Sequence, residues 1–145
     1  MSDGKGFSAV GRVDVDADAQ PYWQRTGYRF FPYAAYEDGR WWVLRLNGGF
    51  PEHDKYTVFI DGRAAFDVTG SSDHSSALVR SIAVLRPFEP VSTEPVLVAH
   101  TAAAVVFPVS RYVDYGSEHG QACPFCSQKP DGMARIGNRS TALRV

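Results

Sequence analysis

The densest group of chemically capable side chains in the sequence is His119-Gly-Gln-Ala-Cys123-Pro-Phe-Cys126, three soft or borderline donors within eight residues. Zinc is the metal that imidazole and thiolate donors favour, and a Cys-x-x-Cys turn can bring both thiolates to one tetrahedral ion. His119 reaches the same ion if the loop curls. The fourth ligand must then come through the fold, with His100 as the leading candidate and His53, His74 and Asp114 behind it. Four protein ligands make a structural site that pins the C-terminal region to the sheet. Three ligands and a water make a catalytic one, with Glu52 or His53 as the acid or base.

Two further groups carry reactive residue types. Gly48-Gly-Phe-Pro-Glu52-His53-Asp54 places a histidine between carboxylates in a glycine-flanked loop, where function often resides, but neighbours in sequence point in different directions and a polar connecting loop accounts for these residues better. Ser71, Ser72, Asp73, His74 and Ser75 hold the residue types of a nucleophilic triad, but a triad is assembled from separate elements, and helix capping accounts for these residues better. No Walker-type phosphate loop and no dinucleotide fingerprint occurs.

Cys123-Pro-Phe-Cys126 is similar to the active-site tetrapeptide of glutaredoxins, which implies a redox dithiol. In that family the motif stands near the start of the fold, whereas only 19 residues follow Cys126 here. His100 with Cys123 and Cys126 resembles part of the zinc-deaminase pattern. Ala102 stands where that family has its glutamate, and Ala122 where it has proline, so the general acid/base is missing.

Aromatic residues offer a different chemistry. Tyr22, Trp23, Tyr28, Phe30, Phe31, Tyr33, Tyr36, Trp41, Trp42 and Phe50 fall in the first third of the chain, and Trp, Tyr and Arg dominate protein–protein hot spots. One sheet face can bury only part of this set. Alternation puts Phe31, Tyr33, Ala35, Trp42, Leu44 and Leu46 on a core face, and Phe30, Tyr36, Trp41, Val43, Arg45 and Asn47 on the other, which is either covered by another element or left as a sticky surface. The leading expectation is a protein-binding module that meets its partner through Phe30, Tyr36, Trp41 and Arg45. Single-domain immunity proteins of bacterial toxin systems have this general profile of a small inhibitor-type domain. The alternative is a zinc-binding protein, or a zinc- or thiol-dependent enzyme, centred on His119, Cys123 and Cys126.

The elements that must position these residues follow from punctuation and periodicity. Asp38-Gly39 and Asp61-Gly62 each sit between runs rich in aromatic and β-branched residues, the strongest short-range mark of a hairpin. Two-residue turns there set Glu37 opposite Arg40, Tyr36 opposite Trp41, Ala35 opposite Trp42 and Tyr33 opposite Leu44. In the second hairpin they set Ile60 opposite Arg63, Phe59 opposite Ala64 and Thr57 opposite Phe66. Ser72 to Arg86, with Leu78, Ile82 and Leu85 on one face and Pro87 beyond, predicts a helix over 72–86; the β-branched Val79, Ile82 and Val84 leave a strand as the competing reading. Val96 to Phe107 predicts one long or two short strands, and Arg111 to Val113 a continuation of the sheet. The expected fold is α+β, mainly antiparallel sheet built from two Asp-Gly hairpins, with one helix and a C-terminal thiol-containing loop.

Composition bounds the rest. With 145 residues, 44% of them hydrophobic, the chain reads as a single domain, 1–145, able to fold without disulfide or metal. Residues 1–20 are a flexible segment or an edge strand through Phe7, Val10 and Val13, and residues 129–145 a mildly basic tail. A net charge of -1 argues against nucleic acid, which is bound through an excess of Lys and Arg. The N-terminus has no signal-peptide pattern and Val96 to Val109 is too short and interrupted to span a bilayer, so a cytoplasmic protein with reduced thiols and no membrane partner is expected.

Overall fold

The computed structural model describes residues 8–9, 15–48, 50–89, 93–120 and 131–136. The thiol loop with Cys123 and Cys126 lies outside them, as do Phe7, Val10, Val13 and residues 137–145. The strands are β1 (Ser8–Ala9), β2 (Gln24–Arg25), β3 (Tyr33–Glu37), β4 (Arg40–Leu46), β5 (Tyr56–Ile60) and β6 (Arg63–Val68). They form one sheet in the order β1-β6-β5-β4-β3-β2, every neighbouring pair antiparallel.

β3 and β4 join through Asp38 (φ 54°) and Gly39 (φ 78°), and β5 and β6 through Asp61 (φ 56°) and Gly62 (φ 82°). Two consecutive positive φ values give the turn whose twist matches that of the flanking strands. Glu37 faces Arg40, Tyr36 faces Trp41, Ala35 faces Trp42 and Tyr33 faces Leu44. Ile60 faces Arg63 and Phe59 faces Ala64, but the register then slips by one, so that Thr57 lies opposite Asp67 rather than Phe66. This bulge admits one extra residue on β6. It brings Asp67 into line with Thr57 and Arg45, which are themselves paired across β4 and β5.

Both faces of the sheet are covered. On one, Tyr33, Ala35, Trp42, Leu44, Val58, Ile60 and Phe66 pack with Leu78, Val79, Ile82 and Leu85. The first three of these last four belong to helix α1 (Ala77–Ala83), shorter than the 72–86 expected from the sequence. Ser76 rather than Ser72 is its cap, the hydroxyl accepting from the Val79 N–H at 3.2 Å, while residues 72–75 turn ahead of it.

The opposite face, with Ala34, Val43 and Phe59, packs with Leu97, Ala102, Val105, Val106, Val109 and Val113. Here the sequence reading is corrected: 99–106 is a helix, α2 (Ala99–Val106), and Phe107–Tyr112 continues it as a 3₁₀ segment instead of returning to the sheet. Four alanines, Ala99, Ala102, Ala103 and Ala104, outweigh the terminal valines in helix propensity, and Ala102, Val105 and Val106 bury one helical stripe. Phe31 belongs to this second core rather than to the first, because it precedes β3 and Pro32, beyond the reach of the strand alternation. Residues 131–136 dock beside the 27–29 segment, through Arg29 N–H to Ala134 O (2.8 Å) and Ile136 N–H to Gly27 O (2.7 Å). Among the described residues no helix is long and apolar enough to cross a membrane.

Candidate functional site

The end of β4 carries the site. Arg45 lies in the strand run Arg-Trp-Trp-Val-Leu-Arg-Leu and is fully buried, 0% exposed. A guanidinium removed from water needs an anion and acceptors for its remaining N–H groups. Glu118 provides the anion from the 3₁₀ turn Ser117–His119, at 2.6 Å from Nη1 and 3.3 Å from Nη2. Nε donates to Asn47 Oδ1 at 2.7 Å, Nη2 to Thr57 Oγ1 at 2.9 Å, and Nη1 to the Tyr112 carbonyl at 2.9 Å. The Thr57 hydroxyl passes the network on to Asp67 Oδ1 at 2.6 Å, and the Tyr115 hydroxyl donates to Asp67 Oδ2 at 3.0 Å. The guanidinium carbon also lies over the rings of Phe59 (5.2 Å) and Tyr115 (5.7 Å).

These contacts set the titration of the cluster. Burial pushes the Glu118 carboxyl up, but hydrogen bonds and charge from Arg45 outweigh it and hold the group below the ordinary carboxylate range. Tyr115 is pushed up to about 12 by burial and by the neighbouring Asp67 carboxylate. The guanidinium's N–H groups are therefore all engaged, and the network fastens residues 112–118 onto β4 and β5.

What it holds in place is an apolar groove of about 400 Å³. Leu46 lines it from the end of β4 and Asn47 from the residue after it, Val113 and Tyr115 from the fastened segment, and Phe30, Phe50 and Phe88 from three loops. The loop between β4 and β5 is pinched shut at its neck: Asn47 N–H donates to Lys55 O at 2.8 Å, and the Asn47 amide donates to Asp54 O at 3.0 Å. Lys55 N–H donates to the Thr69 hydroxyl (3.1 Å), and that hydroxyl to Asp54 Oδ1 (2.6 Å). Phe30 is fixed by its carbonyl, which accepts from Leu46 N–H at 2.9 Å. Phe50 and Phe88 are the rims, 50% and 73% exposed. The Lys55 ammonium stands 5.6 Å from the centres of both the Tyr56 and Phe88 rings.

The four residues expected to meet a partner are separated by the fold. Phe30 lines the groove, and Arg45 is inside the protein, unavailable to a partner, because α2 and the residues after it cover the face that alternation left open. Trp41 is half-buried against that same core. Tyr36 is 58% exposed and packs edge-on against Trp41 with ring centres 5.2 Å apart.

The candidate metal and acid/base residues are also dispersed. His119 is exposed at the end of its 3₁₀ turn and His100 is exposed near the start of α2; Cys123 and Cys126 lie outside the described residues. His53 stacks on Tyr115 at 3.8 Å, and His74 Nδ1 accepts from Ser76 N–H at 2.9 Å ahead of α1. Among the described residues no three His, Cys, Asp or Glu side chains are gathered as a metal site.

Lys55, Phe88, Tyr115, Asp67 and Glu118 were not singled out from the sequence as site residues. One signal pointed toward Glu118: an arginine inside an apolar strand run demands a buried anion somewhere else in the chain. Compared with protein families, curated proteins and solved structures, the chain gives no match.

Proposed function

We propose that the protein is a binding module that captures a partner protein, and that its recognition surface is the Phe50–Phe88 groove rather than the aromatic face of the first hairpin. The observation that carries this reading is the pair of phenylalanines, each at least half exposed, on the rims of an apolar groove whose floor is locked by the Arg45–Glu118 network. Large exposed aromatics around a preformed apolar depression are what hot spots are made of. The polar groups beneath are spent on one another, so their role is to hold the groove in shape. Phe88→Ala and Phe50→Ala are expected to abolish association with the native partner while leaving the fold intact, and Tyr36→Ala to retain it. Loss in Tyr36→Ala with retention in both groove variants would return the site to the hairpin.

A second reading concerns zinc. It is supported by His119, whose imidazole is exposed immediately before the segment that carries the thiols, after which Gly120 turns the chain with a φ of 77°. In this reading His119, Cys123 and Cys126 hold the ion, with His100 as the proposed fourth ligand. One zinc per chain by native mass spectrometry, lost in Cys123→Ser, supports it; a chain purified gently without zinc removes it.

A further inference from the structure

We infer that the groove is built for an acidic, apolar segment of the partner protein, with a large apolar side chain in the groove and a neighbouring carboxylate on Lys55; this rests on the groove being the recognition surface. Three observations lead to it.

First, the walls are mostly apolar, and their one amide, Asn47, already meets Arg45, Asp54 and Thr57. What enters must be apolar. Second, Lys55 is a cation without an anion among the described residues. Its ammonium is held between the Tyr56 and Phe88 rings and meets no carboxylate among the described residues. Asp114, which also lines the groove, is already engaged within the protein. An ammonium fixed at the mouth of an apolar groove selects for a negative charge beside the apolar group, because a partner lacking it loses a charge pair and one bearing a cation there is repelled.

Third, the groove is open. Small-molecule pockets bury most of their ligand's surface, whereas Phe50 and especially Phe88 turn much of their rings to solvent. A ligand small enough to lie in the groove would leave these outer surfaces bare. A polypeptide crossing the groove would cover them.

The test is a titration followed by backbone amide chemical shifts at low salt. It uses acetyl-Ala-Ala-Phe-Glu-amide, its Gln counterpart, and the shorter acetyl-Phe-Glu-amide. Shifts are expected in residues 46–55, 88 and 113–115, with the Glu peptide binding about two- to fivefold more tightly than the Gln peptide, the range of a partly exposed charge pair. That preference should vanish in Lys55→Met, return in Lys55→Arg and shrink at high salt. Phe88→Ala should weaken both longer peptides, and the shorter peptide should bind less tightly than its parent.

Equal binding of Glu and Gln peptides, unchanged by Lys55→Met, overturns the inference while the groove stands as the surface. A short peptide that binds as tightly as the long one points to a small anionic ligand and overturns the polypeptide occupant. Absence of groove shifts with every peptide overturns the groove itself.

Discussion

Replacing Arg45 with methionine is the most informative single perturbation of the scaffold. The stem is roughly conserved while the charge and five N–H donors disappear. What remains is a Glu118 carboxylate that is only 4% exposed, together with a Tyr112 carbonyl and an Asn47 amide oxygen that have each lost the Arg45 donor. An uncompensated charge left by removing one partner of a buried pair costs about 3–5 kcal/mol. The lost cation over Phe59 and Tyr115 belongs to the same rearrangement and is not added separately. Against a total stability of about 5–15 kcal/mol for a domain, Arg45→Met removes a large share. Urea unfolding followed by fluorescence of the buried Trp23 and Trp42 measures it.

Two further effects are expected of the pair. The double variant Arg45→Met/Glu118→Leu should be less destabilised than Arg45→Met alone, since a buried pair exchanged for apolar groups of similar volume is often close to neutral. The cost of the single variant should also shrink at acid pH, where the orphaned carboxyl takes up a proton. A cost below about 1 kcal/mol for Arg45→Met, or a double variant equal to the sum of the singles, would contradict a tightly coupled buried pair.

Acid should destabilise the wild-type protein through two carboxylates held below the ordinary range. For Glu118 burial acts upward and Arg45 prevails; for Glu94 burial acts upward and the Tyr33 hydroxyl, Arg25 and the Arg86 N–H prevail. A depressed folded value means the contribution is complete above the unfolded carboxylate value of 4.5 and is lost as pH falls through the lower folded values; a urea midpoint unchanged between pH 7 and pH 3 would refute this. Ser76→Ala should cost about 0.5–2 kcal/mol through loss of the α1 cap, read as a lowered urea midpoint with an unchanged slope. Gly132→Ala should lift residues 131–136 off the body, because a Cβ there would meet the Ser110 carbonyl oxygen at 1.9 Å. Faster amide exchange at Arg29, whose N–H donates to Ala134 O, reports the detachment, and unchanged exchange argues against it.

The pairing of the four long strands was legible because Asp-Gly turns and period-2 alternation are both local signals. The bulge was not: Ala64-Ala65-Phe66 carries no glycine or other mark of an extra residue, yet it decides that Asp67 rather than Phe66 faces Thr57. The more consequential error began in 99–106. Valines at both ends of the run suggested a strand, while Ala102, Ala103 and Ala104 between them favour a helix. With 99–106 read as strand, the sequence names no element that covers the second face, so Phe30, Trp41 and Arg45 stand as candidate partner residues on a face left either covered or open. Their common face had been found correctly, but whether a face is wet depends on an element elsewhere in the chain. The groove was illegible for the same reason. Phe30, Leu46, Phe88 and Tyr115 come from segments far apart in sequence and meet only after both layers have packed on the sheet.

Recognition at the Phe50–Phe88 groove, the reading proposed above, is tested by site-specific photo-crosslinking in the cells that make the protein. With p-benzoylphenylalanine in place of Phe88, one discrete cross-linked partner is expected, and with the same group in place of Tyr36, none. A partner trapped from position 36 and not from position 88 would remove the groove as the recognition surface and put it on the first hairpin.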